Sequence, residues 1–208
     1  LLDCLKQVSY DQFYNEHIYV FSALAVKNIL KKYNLELFDI KNIKTHGGSL
    51  RYYIKKEKNT SLKINSSVKN QLDKEINFGL NKYNTYKNFA IKSKISKKKL
   101  NILLNNINKK NNIIIGYGAT AKVSTVLNYC DIDSNLIKFF IDTTPDKQNK
   151  YIPGKNIKIY KYNKKLLNDV NYAFLGAWNF KNEIFKKEMQ FRKKGGKFIT
   201  HIPSPKII

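Results

Sequence analysis

Ile113-Ile114-Ile115 runs straight into Gly116-Tyr117-Gly118-Ala119-Thr120-Ala121-Lys122, and a helical stretch from Val123 to Tyr129 follows at once. A continuous apolar run is what a strand buried on both faces of a parallel sheet needs. Glycines directly after it permit a tight turn and let the following helix pack close to the strand. Parallel strands need a crossover, and the ordinary one is a right-handed strand-helix-strand unit. The chain keeps that alternation downstream. Leu136 to Ile141 reads as a second strand ending in Asp142, Ile157 to Tyr160 as a third after the Pro153-Gly154 turn, and Val170 to Gly176 as a fourth. A helix over 179–194, a Gly195-Gly196 stop and a strand from Lys197 to Thr200 complete the pattern. Residues 111–208 are therefore expected to be α/β, a Rossmann-like parallel sheet with flanking helices.

The residues before it have a different grammar. Ser22 is placed to cap a helix whose apolar positions are Val26, Ile29, Leu30 and Tyr33. Leu35 to Ile40 alternates as a half-buried strand does, Thr45-His46-Gly47-Gly48-Ser49 is a turn, and Leu50 to Ile54 is a returning strand. Helix, strand, turn and strand over residues 1–60 are expected to finish an α/β domain that begins upstream. The chain opens on Leu1, and its one methionine is Met189. Residues 61–110 are charged and helical, with Val68, Leu72, Ile76 and Leu80 on one face and a break near Gly79, as a helical linker would be.

Charge narrows the partners. The formal net charge is +24, yet Arg51 and Arg192 are the only arginines, and the lysines are spread along the chain. Recognition of bases and phosphates favours the arginine fork, so specific nucleic-acid binding is not expected. A general attraction for an anionic substrate such as a nucleotide is. No apolar run approaches the roughly 20 residues that cross a bilayer, so no membrane association is expected. Cys4 and Cys130 lie far apart without metal-ligand spacing, which suits a reducing cytoplasm and no metal site in this stretch.

Two stretches carry candidate chemistry. Tyr14-Asn15-Glu16-His17 brings a phenol, a carboxylate and an imidazole within four residues. A histidine can take a proton near neutral pH, a tyrosine can donate to an oxygen that becomes negative, and a glutamate can hold an imidazole's tautomer. A capped surface loop accounts for the same residues. Gly116-x-Gly118-x-x-Ala121 stands where a phosphate-binding turn stands, with Lys122 as a further phosphate contact and Asp142 where a ribose-binding acid sits. Close packing of helix on strand explains those glycines equally.

Read together, the motifs form a series. Tyr10 to Ser22, Phe38-Asp39, Thr45-His46-Gly47-Gly48-Ser49-Leu50-Arg51 and Gly116 to Lys122 with Leu127-Asn128-Tyr129-Cys130 open it. Asp142-Thr143-Thr144-Pro145-Asp146-Lys147-Gln148, Pro153-Gly154, Ala177-Trp178-Asn179-Phe180, Gly195-Gly196-Lys197-Phe198 and Ile202-Pro203 continue it. In order and spacing this series resembles the C-terminal half of the SAM-dependent sugar-nucleotide C-methyltransferases of deoxysugar biosynthesis. The resemblance implies a parent with a zinc-binding N-terminal segment, a central domain for S-adenosylmethionine and a Rossmann-like C-terminal domain. This chain starts near the end of the central domain, so it is expected to be inactive alone, with zinc and most of the S-adenosylmethionine pocket upstream.

The resemblance also assigns roles. His17 is the base that removes a proton beside the ketone of a nucleotide-linked keto-deoxysugar. Tyr14 binds or protonates the sugar oxygen, and Glu16 orients His17 or the sugar. His46 and Arg51 order the active-site turn or touch the substrate. Asn15 stands where the family often has a second histidine. Trp178 and Phe180 are expected in packing, and His201 receives no role. The competing reading is a non-catalytic module that binds a nucleotide or a sugar nucleotide through the Gly116 turn.

Overall fold

Ser22 caps its helix as its hydroxyl predicts: Oγ accepts from the Ala25 N–H at 3.1 Å, opening α2 (Ala23–Lys31) after a short α1 (Leu2–Lys6). The remaining free amides at that helix end find an acceptor from far along the chain. Glu75, wholly buried, accepts from Ala23 N–H through Oε1 and from Leu24 N–H through Oε2, each at 2.9 Å. Gln71 Nε2 donates to Oε1 at 3.0 Å. One carboxylate thus caps α2 and ties it to α3 (Ser66–Phe78), the helix it belongs to.

In the computed structural model, which describes residues 1–208, the chain divides into two units. The first comprises residues 1–6 and 19–91. Its sheet is the antiparallel pair β1 (Leu35–Ile43) and β2 (Ser49–Lys56), with a register shift between Leu37 and Asp39. The connecting turn uses Gly47 and Gly48 at positive φ, and His46 at φ 53° as well. A two-stranded ribbon is marginal alone. Here Ala23 and Leu30 of α2, Leu37 and Ile40 of β1 and Val68 of α3 make its core. Gly79, left-handed at φ 88°, stops α3 where the sequence breaks, before α4 (Tyr83–Asn108).

The second unit comprises residues 7–18 and 92–208. Its strands are β3 (Ile114–Tyr117), β4 (Phe140–Asp142), β5 (Ile159–Lys161), β6 (Tyr172–Leu175), β7 (Lys197–Thr200) and β8 (Lys206–Ile207). They lie in the order β5-β4-β3-β6-β7-β8, parallel except for the antiparallel β7–β8 pair. That is the doubly wound Rossmann order, and its switch point falls between β3 and β6. The helix after β3 is α5 (Ala121–Cys130). Ile115, Phe140, Phe174 and Phe198 are fully buried, as strands covered on both faces require.

The helix expected over 179–194 is broken. A 3-10 turn over Trp178–Phe180 leads into α6 (Lys181–Lys187), and α7 (Met189–Lys193) restarts after Glu188. The break has a tertiary cause. Glu188 is buried, and its Oε1 accepts both the Tyr117 and Tyr162 hydroxyls at 2.7 Å. Burial and the Glu188 charge push both phenols well above their ordinary pKa, so they remain donors. The last strand, β8, had no signal in its two residues; the β7 edge supplies its partner. No helix is long and apolar enough to cross a membrane, and Cys4 and Cys130 are buried and form no disulfide.

Replacing Glu75 by alanine is expected to leave two amides of α2 without their acceptor and lower stability by roughly 1–3 kcal/mol. Amide exchange at Ala23 and Leu24 should accelerate in that variant, and unchanged protection there would count against the capping role.

Candidate active site

Residues 7–18 form a strap belonging to the second unit. It opens with a 3-10 turn at Tyr10–Gln12, all three buried, and then turns outward, leaving Phe13, Asn15, Glu16 and Ile18 exposed. Its inner face is fastened to α5. The Tyr10 hydroxyl lies 3.5 Å from Cys130 Sγ, the Tyr10 ring is 5.1 Å from that of Tyr129, and Thr125 Oγ1 donates to the Phe13 carbonyl at 3.4 Å.

Asp11 is the deepest point of the strap and has no exposed surface. Its Oδ2 accepts from Trp178 Nε1–H at 2.6 Å, a charge-assisted bond. His201 Nε2 lies 3.2 Å from the same oxygen without the alignment of a hydrogen bond, so both His201 ring nitrogens and Asp11 Oδ1 stay unpaired. His201 stacks on Phe174 with centroids 5.6 Å apart. Trp178 follows β6 and His201 follows β7, so the strap crosses the carboxyl ends of two strands, where ligands of open α/β sheets gather.

The outer part of the strap holds the imidazole. His17 Nδ1 is 2.8 Å from the Gln12 carbonyl oxygen, and His17 Nε2 is 2.9 Å from the Tyr14 hydroxyl. A carbonyl can only accept, so the neutral ring carries its proton on Nδ1, and Nε2 accepts from Tyr14. Burial raises the Tyr14 pKa, with the charges of Glu16 and Asp11 adding to it, which keeps the phenol protonated. The rings lie 4.1 Å apart. Both ring nitrogens of His17 are therefore engaged by groups other than Glu16, which is exposed. The orienting acceptor is a backbone oxygen, and no side-chain pattern could have announced it.

The glycine turn is occupied by its own neighbours. Asp142 Oδ2 accepts from Ala119 N–H at 2.7 Å and Oδ1 from Thr144 N–H at 2.8 Å, which uses both oxygens inside the fold. A Cβ at Gly116 would meet the Phe140 ring, one at Gly176 would meet the Gly118 carbonyl, and one at Gly118, where φ is 84°, would come 2.9 Å from Ala177 Cβ. These glycines let β3, β4 and β6 close on one another. Lys122 is buried rather than offered outward: Nζ donates to Asn179 Oδ1 at 3.3 Å and sits 5.0 Å over the Trp178 ring. Burial lowers its pKa, and the field of Asp11 opposes that. His46 and Arg51 belong to the first unit and are exposed, on the hairpin turn and on β2. No group of three or more His, Cys, Asp or Glu side chains could hold a metal ion.

The doubly wound sheet is thus crossed by a strap on which His17 and Tyr14 are hydrogen-bonded to each other. Residues 44–203 match the C-methyltransferase C-terminal domain, and the chain belongs to that family. It is similar to the C-methyltransferase NovU of Streptomyces niveus, 29% identical over 208 residues, which cover 100% of this chain and 49% of that protein. The chain thus spans about half the length of that relative.

Gly116→Ala is expected to drive a methyl group into the Phe140 ring and destabilise the second unit by about 1–3 kcal/mol, as overpacking does. Chemical denaturation measures this, and a variant as stable as the parent would remove the packing role.

Proposed function

We propose that this chain is the C-terminal part of a SAM-dependent C-methyltransferase acting on a nucleotide-linked keto-deoxysugar, with His17 as the base. The observation that carries the proposal is the His17 tautomer. With Nδ1–H held by the Gln12 carbonyl, the lone pair of Nε2 is the one available to accept a proton. The Tyr14 hydroxyl rests on that lone pair. When a keto-sugar binds, the hydroxyl transfers its hydrogen bond to the ketone oxygen and frees Nε2. The imidazole then removes a proton from the adjacent carbon, the electron pair moves to the carbonyl oxygen, and Tyr14 stabilises the enolate. Glu16, exposed beside both, is assigned to the sugar hydroxyls. The methyl donor, which the family resemblance takes to be S-adenosylmethionine, supplies the electrophilic carbon; no residue of this chain is assigned to holding it.

His46 and Arg51 are assigned to the anionic nucleotide, for which their exposure suits them. Gly116, Gly118, Lys122 and Asp142 are assigned to building the strand ends, because each is engaged within the fold. That engagement also weighs against the alternative of a non-catalytic nucleotide-binding module centred on the Gly116 turn.

The test uses the full-length protein that contains this chain, labelled S-adenosylmethionine and a panel of keto-sugar nucleotides. His17→Ala is expected to lower methyl transfer by about 10²–10⁴-fold, the range of general-base catalysis. Undiminished turnover would remove His17 from the chemistry. Arg51→Ala should raise KM about tenfold, a single charge-assisted contact's worth, with little change in kcat. An unchanged KM would release Arg51 from the substrate.

A further inference from the structure

Within the strap the Phe13 N–H donates to the Tyr10 carbonyl at 3.3 Å and the His17 N–H to the Tyr14 carbonyl at 2.8 Å, both short-range bonds. Beyond Gln12 it has no regular structure, four of its residues are exposed, and the bond from Thr125 of α5 to the Phe13 carbonyl is long at 3.4 Å. Segments of that kind open locally at small free energy unless something buried pins them. The pin is Asp11. A carboxylate with no exposed surface, one hydrogen-bond donor and an unsatisfied second oxygen is a poor choice if stability were the only demand, since burying an incompletely paired charge opposes folding. Such groups are retained in some systems because they specify one arrangement over its neighbours. Here the arrangement specified is next door: the residue after Asp11 is Gln12, whose carbonyl receives His17 Nδ1–H.

We propose that Asp11 and Trp178 are positioning residues, whose buried hydrogen bond fixes the Gln12 carbonyl and thereby locks His17 in the Nδ1–H tautomer. Trp178 is held in turn from its other side, where Lys122 covers the indole and is anchored by Asn179. The chain of control runs from a tryptophan at the end of β6, through a carboxylate on the strap, to a backbone oxygen and then to the imidazole. It is the arrangement by which a carboxylate orients a histidine, displaced by one residue and relayed through the main chain. Its catalytic consequence rests on the reading of His17 as the base, but the lock itself does not. A free imidazole favours the Nε2–H tautomer, so losing the lock has a distinct spectroscopic signature.

The chain has three histidines, so long-range proton–nitrogen correlation spectra of histidine-labelled protein resolve each ring. In the parent protein His17 should show the Nδ1–H pattern. Trp178→Phe keeps most of the ring surface and deletes the donor. In that variant His17 should shift to the Nε2–H or exchange-averaged pattern while His46 is unchanged. A folded Trp178→Phe variant that keeps the Nδ1–H pattern overturns the proposal. Should that variant not fold, Asp11→Asn decides: it keeps the shape and one acceptor but gives up the charge. A partial shift then supports the lock and an unmoved spectrum overturns it. A lost tautomer with undiminished methyl transfer would sustain the lock and sink His17 as the base, so the two readings fail separately.

Discussion

In a chain carrying +24 formal charges, the scarce acids are used inside the fold as hydrogen-bond acceptors. Four carboxylates are buried: Asp11, Glu75, Asp142 and Glu188. None of the four is paired with a lysine or arginine. Glu75 receives two helix-end amides, Asp142 two loop amides, Glu188 two phenols and Asp11 an indole. A carboxylate has about four lone-pair sites and can satisfy several donors at once, which suits helix ends and tight turns where amides are left over. A buried lysine could not do this, since it only donates. Lys122, the one buried lysine, has its pKa pushed down.

Each acid acts at long range in sequence, and each sets a local feature. Glu75 decides where α2 begins, Asp142 closes the glycine turn, Glu188 divides the final helical stretch into α6 and α7, and Asp11 seats the strap. The strap over residues 7–18 shares this economy. Asp11 sits next to Gln12, whose carbonyl lies 2.8 Å from His17 Nδ1, so its buried bond to Trp178 is made one residue from the group that meets the imidazole.

The glycine motif illustrates how one pattern serves two ends. In a dinucleotide-binding domain the glycines clear room for a pyrophosphate and the acid after the second strand meets a ribose. Here the same residues clear room for the β4 and β6 neighbours, and the acid meets Ala119 and Thr144 instead. The spacing is common to both because both need a backbone that approaches closely.

By itself the sequence determined the parallel sheet, the hairpin of the first unit, the stop at Gly79 and the family, because these rest on local period, turn chemistry and an ordered run of motifs. It also brought Tyr14 and His17 forward, since they are three residues apart and meet through the strap itself. The break at Glu188, the β8 edge, the inward turn of Lys122 and the service of Trp178 were decided only by the tertiary structure. All four depend on partners brought together by the fold: the phenols of Tyr117 in β3 and of Tyr162 just after β5, the open edge of β7, Asn179 and Asp11. Nothing within a local window encodes such a partner, for what matters is which donor faces which acceptor once the sheet has closed. The protonated nitrogen of His17 is of the same kind, for it is chosen by a backbone oxygen whose direction exists only in the folded chain.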